Sequence, residues 1–261
     1  MKPFYECKYG KLYHGDCLEV MPKLNEKFDL CLTDPPYGTT ACKWDSVIPF
    51  EEMWKRLNLL IKENGAIVLF GTEPFSSFLR MSNIDNYRYD WIWEKLRSTG
   101  FLNAKKQPMR KTELISVFYR KQCMYNPQLT EKPKENIRLS DSNKKRKNNP
   151  EIYGAIQKDS QREIPVDIGY PHNLIKFNKD NERYHPTQKP VALIEYLIKT
   201  YTKELETVLD FTMGSGTTAI ACINTNRYFV GIEKELEYCE IIAKRLETHL
   251  KQTTLFDYMG A

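Results

Sequence analysis

Two short stretches of this chain hold residue types that can do chemistry. TDPPYG (33–38) sets a carboxylate, two prolines and a tyrosine directly after FDLCL, an apolar run with the character of a buried strand. Proline donates no backbone hydrogen and fixes φ, so a ladder stops there while the carbonyls stay rigidly aimed. VLDFTMGSGTTA (208–219) has the form of a strand, a glycine turn and a helix start. Gly214 and Gly216 permit the tight turn and a close backbone approach to a ligand, and Ala219 takes the third small position. Glu233 falls 19 residues past Gly214, at the end of the next strand, where a carboxylate accepts from both hydroxyls of a ribose.

An adenosine-containing ligand is therefore expected at the glycine turn, and two such ligands compete. A dinucleotide brings a pyrophosphate to the helix amino terminus. S-adenosylmethionine brings an ammonium and a sulfonium instead, and an acid such as Asp210 near the turn suits those cations and repels pyrophosphate. With a methyl donor in the crevice, TDPPYG acquires a use. An exocyclic amine on a base is a poor nucleophile because its lone pair is delocalised into the ring. The Asp34 carboxylate and the Pro35 carbonyl, stiffened by Pro36, are two acceptors for its hydrogens, and Tyr37 offers a flat face to an extruded base. A strand-ending turn with a chance acid is the plainer account of the same residues.

The elements that must position these stretches follow from periodicity. Strands are predicted at 11–16, 28–34, 65–71, 89–95, 113–120, 207–211 and 228–233. Helices are predicted at 49–63, 73–81, 190–201, from Thr217, and at 234–250. Strands alternating with helices imply an α/β fold, a doubly wound, Rossmann-like, mostly parallel sheet. Between Arg120 and Tyr184 the period fails, and prolines, asparagines and KKRK (144–147) mark an insert. The expected organisation is a catalytic half at 1–120, an inserted target-recognition region at 121–183, a donor-binding half at 184–250 and a tail at 251–261.

Charge maps onto that division. Across 261 residues the net charge is +5, but residues 94–183 carry 20 Lys/Arg against 11 Asp/Glu, while the remainder carries 19 against 23. Such confinement suits a segment that meets phosphates, and long lysine-rich loops are also simply soluble. Lys105, Lys106, Arg110 and Lys111 form the densest basic patch and are the candidate phosphate contacts; Trp44 is a candidate to close over the base or fill its gap, with packing as the alternative. Seven scattered cysteines without a C-x-x-C pair argue against a disulfide framework or a metal site, and favour a reducing cytoplasm. No run is long and apolar enough for a membrane span.

GDCLEVMPKL (15–24), DPPYG (34–38), KWD (43–45), GAIVLFG (65–71), WIWEK (91–95), TGFLNAKKQP (99–108), YNPQ (125–128), HPTQKP (185–190), DFTMGSGTT (210–218) and VGIE (230–233) occur in one order. In that order the chain resembles the beta group of DNA amino-methyltransferases, in which the catalytic tetrapeptide precedes the donor turn. It is most similar to the site-specific adenine-N6 methyltransferases of bacteria and phages, including those of restriction–modification systems. The resemblance spans nearly the whole chain.

What the resemblance implies is specific. Asp34, Pro35, Pro36 and Tyr37 form the catalytic tetrapeptide, in which Asp34 and Pro35 hold the target amine of an adenine flipped from duplex DNA and Tyr37 stacks on that base. Asp16, with the backbone of Cys17, meets the adenine of S-adenosylmethionine; Phe211 packs beside it, and Glu233 takes the ribose. Asp210 with Gly214 lines the methionine side, and Asp34, Ser215, Gly216 and Thr217 also belong to the donor-binding residues. His185 and Lys189 meet the donor's carboxylate; a buried core histidine is the alternative for His185. The family often has a histidine beside its glutamate after NAKK, where this chain has Thr112 and Glu113, so that histidine's role does not carry over. Cytosine-N4 methylation uses the same geometry and stays open, as do, more remotely, a dinucleotide-dependent dehydrogenase and a DNA-binding module without activity. A homodimer is a common family state. QTTLF (252–256), defined by Gln252, Leu255 and Phe256, resembles the short peptide by which bacterial proteins dock on the replication sliding clamp.

Overall fold

A computed structural model describes residues 1–39, 45–131, 168–182, 184–185 and 187–259, with side chains described as far as Gln252. The amino-terminal half runs β1 (Tyr5–Cys7), β2 (Gly10–His14), α1 (Cys17–Val20), β3 (Phe28–Thr33), α2 (Phe50–Leu60), β4 (Ile61–Gly71), α3 (Phe75–Met81), β5 (Tyr87–Thr99) and β6 (Arg110–Phe118). Then come β7 (Thr130–Glu131), β8 (Ile168–Gly169), β9 (Leu174–Lys176), α4 (Val191–Tyr201), β10 (Thr207–Asp210), α5 (Thr217–Asn224), β11 (Tyr228–Glu233) and α6 (Leu236–Met259).

Among the described residues, nine strands form one sheet in the order β1-β2-β11-β10-β3-β4-β6-β5-β9. The five from β2 to β4 are mutually parallel. Antiparallel pairs enter only at β1 and at β6, which pairs with both β4 and β5. From β3 the chain steps outward to β4, while β10 and β11 lie on the other side of β3. The strand order therefore reverses between the parallel strands β3 and β10, and a ligand crevice opens beyond the carboxyl ends at such a point.

Why these segments become strands is visible in β3. Leu30 and Leu32 face a cluster with Leu193, Leu197, Ala219 and Ile242, whereas Phe28 and Cys31 face Met53, Leu57 and Leu79. A strand covered on both faces must be apolar throughout, as FDLCL nearly is. Helix α2 starts behind Pro49 with Glu51 and Glu52 in its first turn and buries Met53, Trp54, Leu57 and Leu60. It ends before the predicted residue 63 because Ile61 already pairs with Phe28 in the sheet.

Three expectations change. Strand β5 (Tyr87–Thr99) outruns the predicted 89–95 at both ends, β6 (Arg110–Phe118) starts before the predicted 113–120 and ends short of it, and the two make a long hairpin. The last helix does not stop near residue 250: α6 continues to Met259, so the backbone of QTTLF (252–256) is helical and not a free tail. The chain divides into two units, Met1–Asn126 with Asn173–Ala261, and Pro127–His172, a narrower second unit than the predicted 121–183. The first holds the nine-stranded sheet; in the second, β7 and β8 pair antiparallel. Trp44 and the run KKRK (144–147) lie outside the described residues. No described helix is long and apolar enough to cross a membrane.

Candidate active site

The tips of β3 and β10 are tied together by side chains. Thr33 Oγ1 donates to Asp210 Oδ1 at 2.5 Å and accepts from the Phe211 amide at 3.0 Å. Thr212 Oγ1 donates to the Asp34 carbonyl at 3.1 Å. Asp210 is buried, and Thr218 Oγ1 (2.6 Å) and the Thr212 amide (3.2 Å) complete its donors. Burial pushes its carboxyl up to about 6, against the pull of those hydrogen bonds. Asp210 thus fixes the two strand ends to each other rather than offering a free carboxylate to a ligand.

Past Thr33 the chain turns into DPPYG. Asp45 holds the turn from the far side, its two oxygens accepting from the amides of Gly38 (2.8 Å) and Thr39 (2.9 Å). Gly38 sits at φ +68°, in the left-handed region that suits glycine. Among the described residues, no donor reaches the Pro35 carbonyl.

The Asp34 carboxylate is engaged at both oxygens. The Tyr37 hydroxyl donates to Oδ1, and Lys189 Nζ donates to Oδ2 at 2.5 Å. Lys189 also lies 3.4 Å from Glu113 Oε2, and Glu113 Oε1 accepts from Lys95 Nζ at 3.1 Å. Glu113 Oε2 is buried without a hydrogen-bond donor, its contact with Lys189 being an ion pair only. Two ammonium groups and two carboxylates therefore alternate in a row, Lys95–Glu113–Lys189–Asp34. Burial pushes the Asp34 carboxyl above its usual range; Lys189 pulls it back and Glu113 adds to the rise. For Glu113 burial also opposes ionisation, but Lys189 and Lys95 together hold it below the usual range. Lys189 is held above the usual lysine range, since Asp34 and Glu113 outweigh its desolvation. Buried ion pairs are weak sources of stability, so such a row at a strand end points to function.

On the other side of the crevice, the glycine turn has the expected form. Gly214 (φ +55°) and Gly216 (φ +79°) are both in the left-handed region. The Gly214 amide donates to Glu233 Oε2 at 2.7 Å and the Glu235 amide to Oε1 at 2.9 Å, which leaves each oxygen a second lone pair. Asp16 caps α1 through the Leu18 amide and accepts from Lys234. His185 packs its ring against Tyr238 at 4.4 Å. Its Nδ1 accepts from the Thr187 amide at 3.2 Å, which places the proton of the neutral ring on Nε2. Burial, then the nearby Lys189 charge, lowers its pKa to about 4.

One cavity of about 500 Å³ joins all of this, with Asp16, Cys17, Asp34, Pro35, Pro36, Tyr37, Lys189, His185, Asp210, Phe211, Gly214, Ser215, Thr217 and Glu233 in its wall. Of the sequence candidates for this pocket, Gly216 is outside the wall; a Cβ there would stand 3.0 Å from Ile242, so its place is in packing the turn. Lys189 is in the same wall, where it bridges Asp34 and Glu113. Tyr37 keeps a face in the cavity, but its hydroxyl is committed to Asp34 and its ring lies 5.0 Å from Phe75. Of the basic candidates, Arg110 reaches the cavity wall, Lys105 and Lys106 are exposed on the hairpin, and Lys111 pairs with Glu94 at 2.7 Å.

Lys95 and Glu113 lie in or beside motifs of the resemblance, yet neither is among the site residues expected from sequence. Lys95 shares a strand face with the buried Trp91 and Trp93, and Glu113 with Ile115 and Val117. A charge in phase with a buried alternation was the available signal, because such a group must find a partner.

The fold and the cavity define the class, an α/β enzyme with an adenosine-type crevice at a sheet reversal and an acid–proline edge facing it. The model of the DNA methylase family, which spans N6 and N4 methyltransferases, matches residues 28–244, and the chain belongs to that family. It is 28% identical over 268 residues to the type II methyltransferase M2.LlaDCHI of Lactococcus lactis subsp. cremoris, covering 94% of this chain and 92% of the relative. The type II methyltransferase M2.DpnII of Streptococcus pneumoniae is 28% identical over 269 residues, with the same coverages of 94% and 92%. Among solved structures, the M1.HpyAVI–SAM complex superposes with a TM-score of 0.62 at 28% identity, over 91% of this chain and 98% of that one. The cytosine-N4-specific PvuII DNA methyltransferase shares the fold, with a TM-score of 0.66 at 16% identity over 93% and 88% of the two chains.

Proposed function

We propose that this protein transfers a methyl group from S-adenosylmethionine to the N6 amine of an adenine turned out of duplex DNA. One observation carries the reading: the acid–proline edge after β3 and the glycine turn after β10 open onto the same cavity, with the two strand tips bonded to each other.

The residues present suit that donor. Seven carboxylates line the cavity against five Lys or Arg side chains, a wall that favours a cationic ligand over a pyrophosphate. In this reading Glu233 accepts from ribose hydroxyls, and Phe211, Asp16 and the Cys17 backbone hold the adenine. The Nε2–H of His185 is a neutral donor for a carboxylate. When bound, the donor supplies an electrophilic methyl on a positively charged sulfur.

The chain supplies the rest by position and field. An entering base exchanges its amine hydrogens for the Tyr37 and Lys189 donors now on Asp34, and meets the Pro35 carbonyl beside them. Both acceptors oppose delocalisation of the nitrogen lone pair and stabilise the positive charge that develops on attack. A carboxylate made more basic by burial is a better acceptor for the proton then released. Cytosine-N4 transfer is the second reading, since the family includes it; the acid in the first tetrapeptide position favours adenine. A homodimer and clamp docking form no part of this proposal, because nothing in the site bears on them.

Incubating the protein with labelled S-adenosylmethionine and bacterial DNA, then analysing nucleosides by mass spectrometry, tests it. N6-methyladenine is expected. N4-methylcytosine alone would move the assignment to the second reading, and no methylated nucleoside would reject both.

A further inference from the structure

The β5–β6 hairpin does two things at once. Its base builds the cavity, where Lys95, Thr99, Arg110 and Glu113 are in the wall. Its far end presents large apolar side chains to solvent: Phe101 is 79% exposed and Leu102 97%. That end is ordered by its own hydrogen bonds. Gly100 turns at φ +89° into a 3-10 segment, Phe101–Asn103, and the amides of Asn103 and Ala104 close on the carbonyls of Gly100 and Phe101, each at 3.0 Å. Thr99 and Arg110 pair across the neck. Residues 96–112 carry Arg97, Lys105, Lys106, Arg110 and Lys111 and no acid.

Exposed aromatic and aliphatic groups on a formed turn are costly in water and call for a partner. A cationic surround disfavours a basic protein face and fits an anionic partner, which for the proposed activity is the phosphate backbone of a duplex. Apolar side chains carried to DNA by flanking cations act by entering between base steps and unstacking them. An enzyme that takes a base out of the helix needs its stacking broken at that position. Building on the methyltransferase reading above, we infer that Phe101 and Leu102 form an apolar wedge that enters the base stack beside the target nucleotide and holds open the space it leaves. The same hairpin then connects the point of entry to the pocket that receives the base.

The test compares the full chain with the Phe101→Ser/Leu102→Ser variant on two duplexes that contain the target site, located beforehand by sequencing modified bases in DNA treated with the wild type. One duplex is fully paired; in the other the target base faces an abasic position, so that it is already unpaired. The variant should lose about ten-fold or more in kcat/KM on the paired duplex, and stay near the wild type on the other. Both substituted side chains are exposed, so the melting temperature should not move. Equal activity of variant and wild type on both duplexes would overturn the wedge, and so would equal loss on both, which would mean a docking contact. Self-association that disappears in the variant with both activities intact would show that a second copy covers the tip, and would overturn it as well. A wild type without methyl transfer on any DNA would remove the underlying reading and the wedge together, an outcome distinct from all of these.

Discussion

At Asp34, two oxygens have a choice of donors, and the proposed chemistry depends on that exchange. Asp34→Asn keeps the shape but turns one acceptor into a donor, so turnover should fall by about a hundred-fold or more while donor binding holds. Calorimetry with S-adenosylmethionine alongside a methylation assay would check this, and retained turnover would sink the assignment. Lys189 acts on the same carboxylate by charge. Removing that charge in Lys189→Met raises the affinity of both Asp34 and Glu113 for protons, since the lysine is what lowers each of them. Ionised carboxylate is then reached only at higher pH, so the acid limb of the activity profile should move upward. A limb that stays in place would show that Lys189 does not act on the reacting group.

The glycine turn between β10 and α5 separates two uses of the same residue type. Gly216 is at φ +79° with Ile242 3.0 Å from a would-be Cβ, so Gly216→Ala should destabilise the fold by about 1–2 kcal/mol through left-handed strain, with crowding added. Gly214 is also left-handed, at φ +55°, but nothing lies within 4 Å of its would-be Cβ, and it is in the cavity wall. Gly214→Ala should therefore lower the melting temperature less and weaken donor binding more. Thermal melts and donor titration of the two variants check the contrast; equal effects on both readouts would contradict it.

Across the molecule, stability should respond to acid partly through His185. Its folded pKa of about 4 lies below the ordinary 6.5, so the unfolded chain takes up a proton first. The resulting stabilisation is present above pH 6.5 and is lost as the pH falls toward 4. Melting temperatures of wild type and His185→Gln, measured between pH 7.5 and 4, should converge or cross as the pH drops. Parallel curves would show that the histidine is not desolvated.

Much of this site was legible from the chain because it is built from local constraints. A proline pair ends a strand wherever it occurs, and two glycines at left-handed angles make a tight turn between β10 and α5 without help from distant residues. Both stretches, and Glu233 at the next strand end, could therefore be placed on elements from spacing alone. The roles of charged side chains were another matter. Lys189 reads as a cation for a carboxylate, and finds two, Asp34 and Glu113, from elements 155 and 76 residues away in the chain. Asp210 looks like a free acid and is instead consumed by Thr33 and Thr218. Sequence settles backbone geometry at prolines and glycines because the restriction is in the residue itself. Which charges neutralise each other, and how far the hairpin carries Phe101 and Leu102 into solvent, is decided only when the sheet brings β3, β6, β10 and the Lys189 segment to one edge.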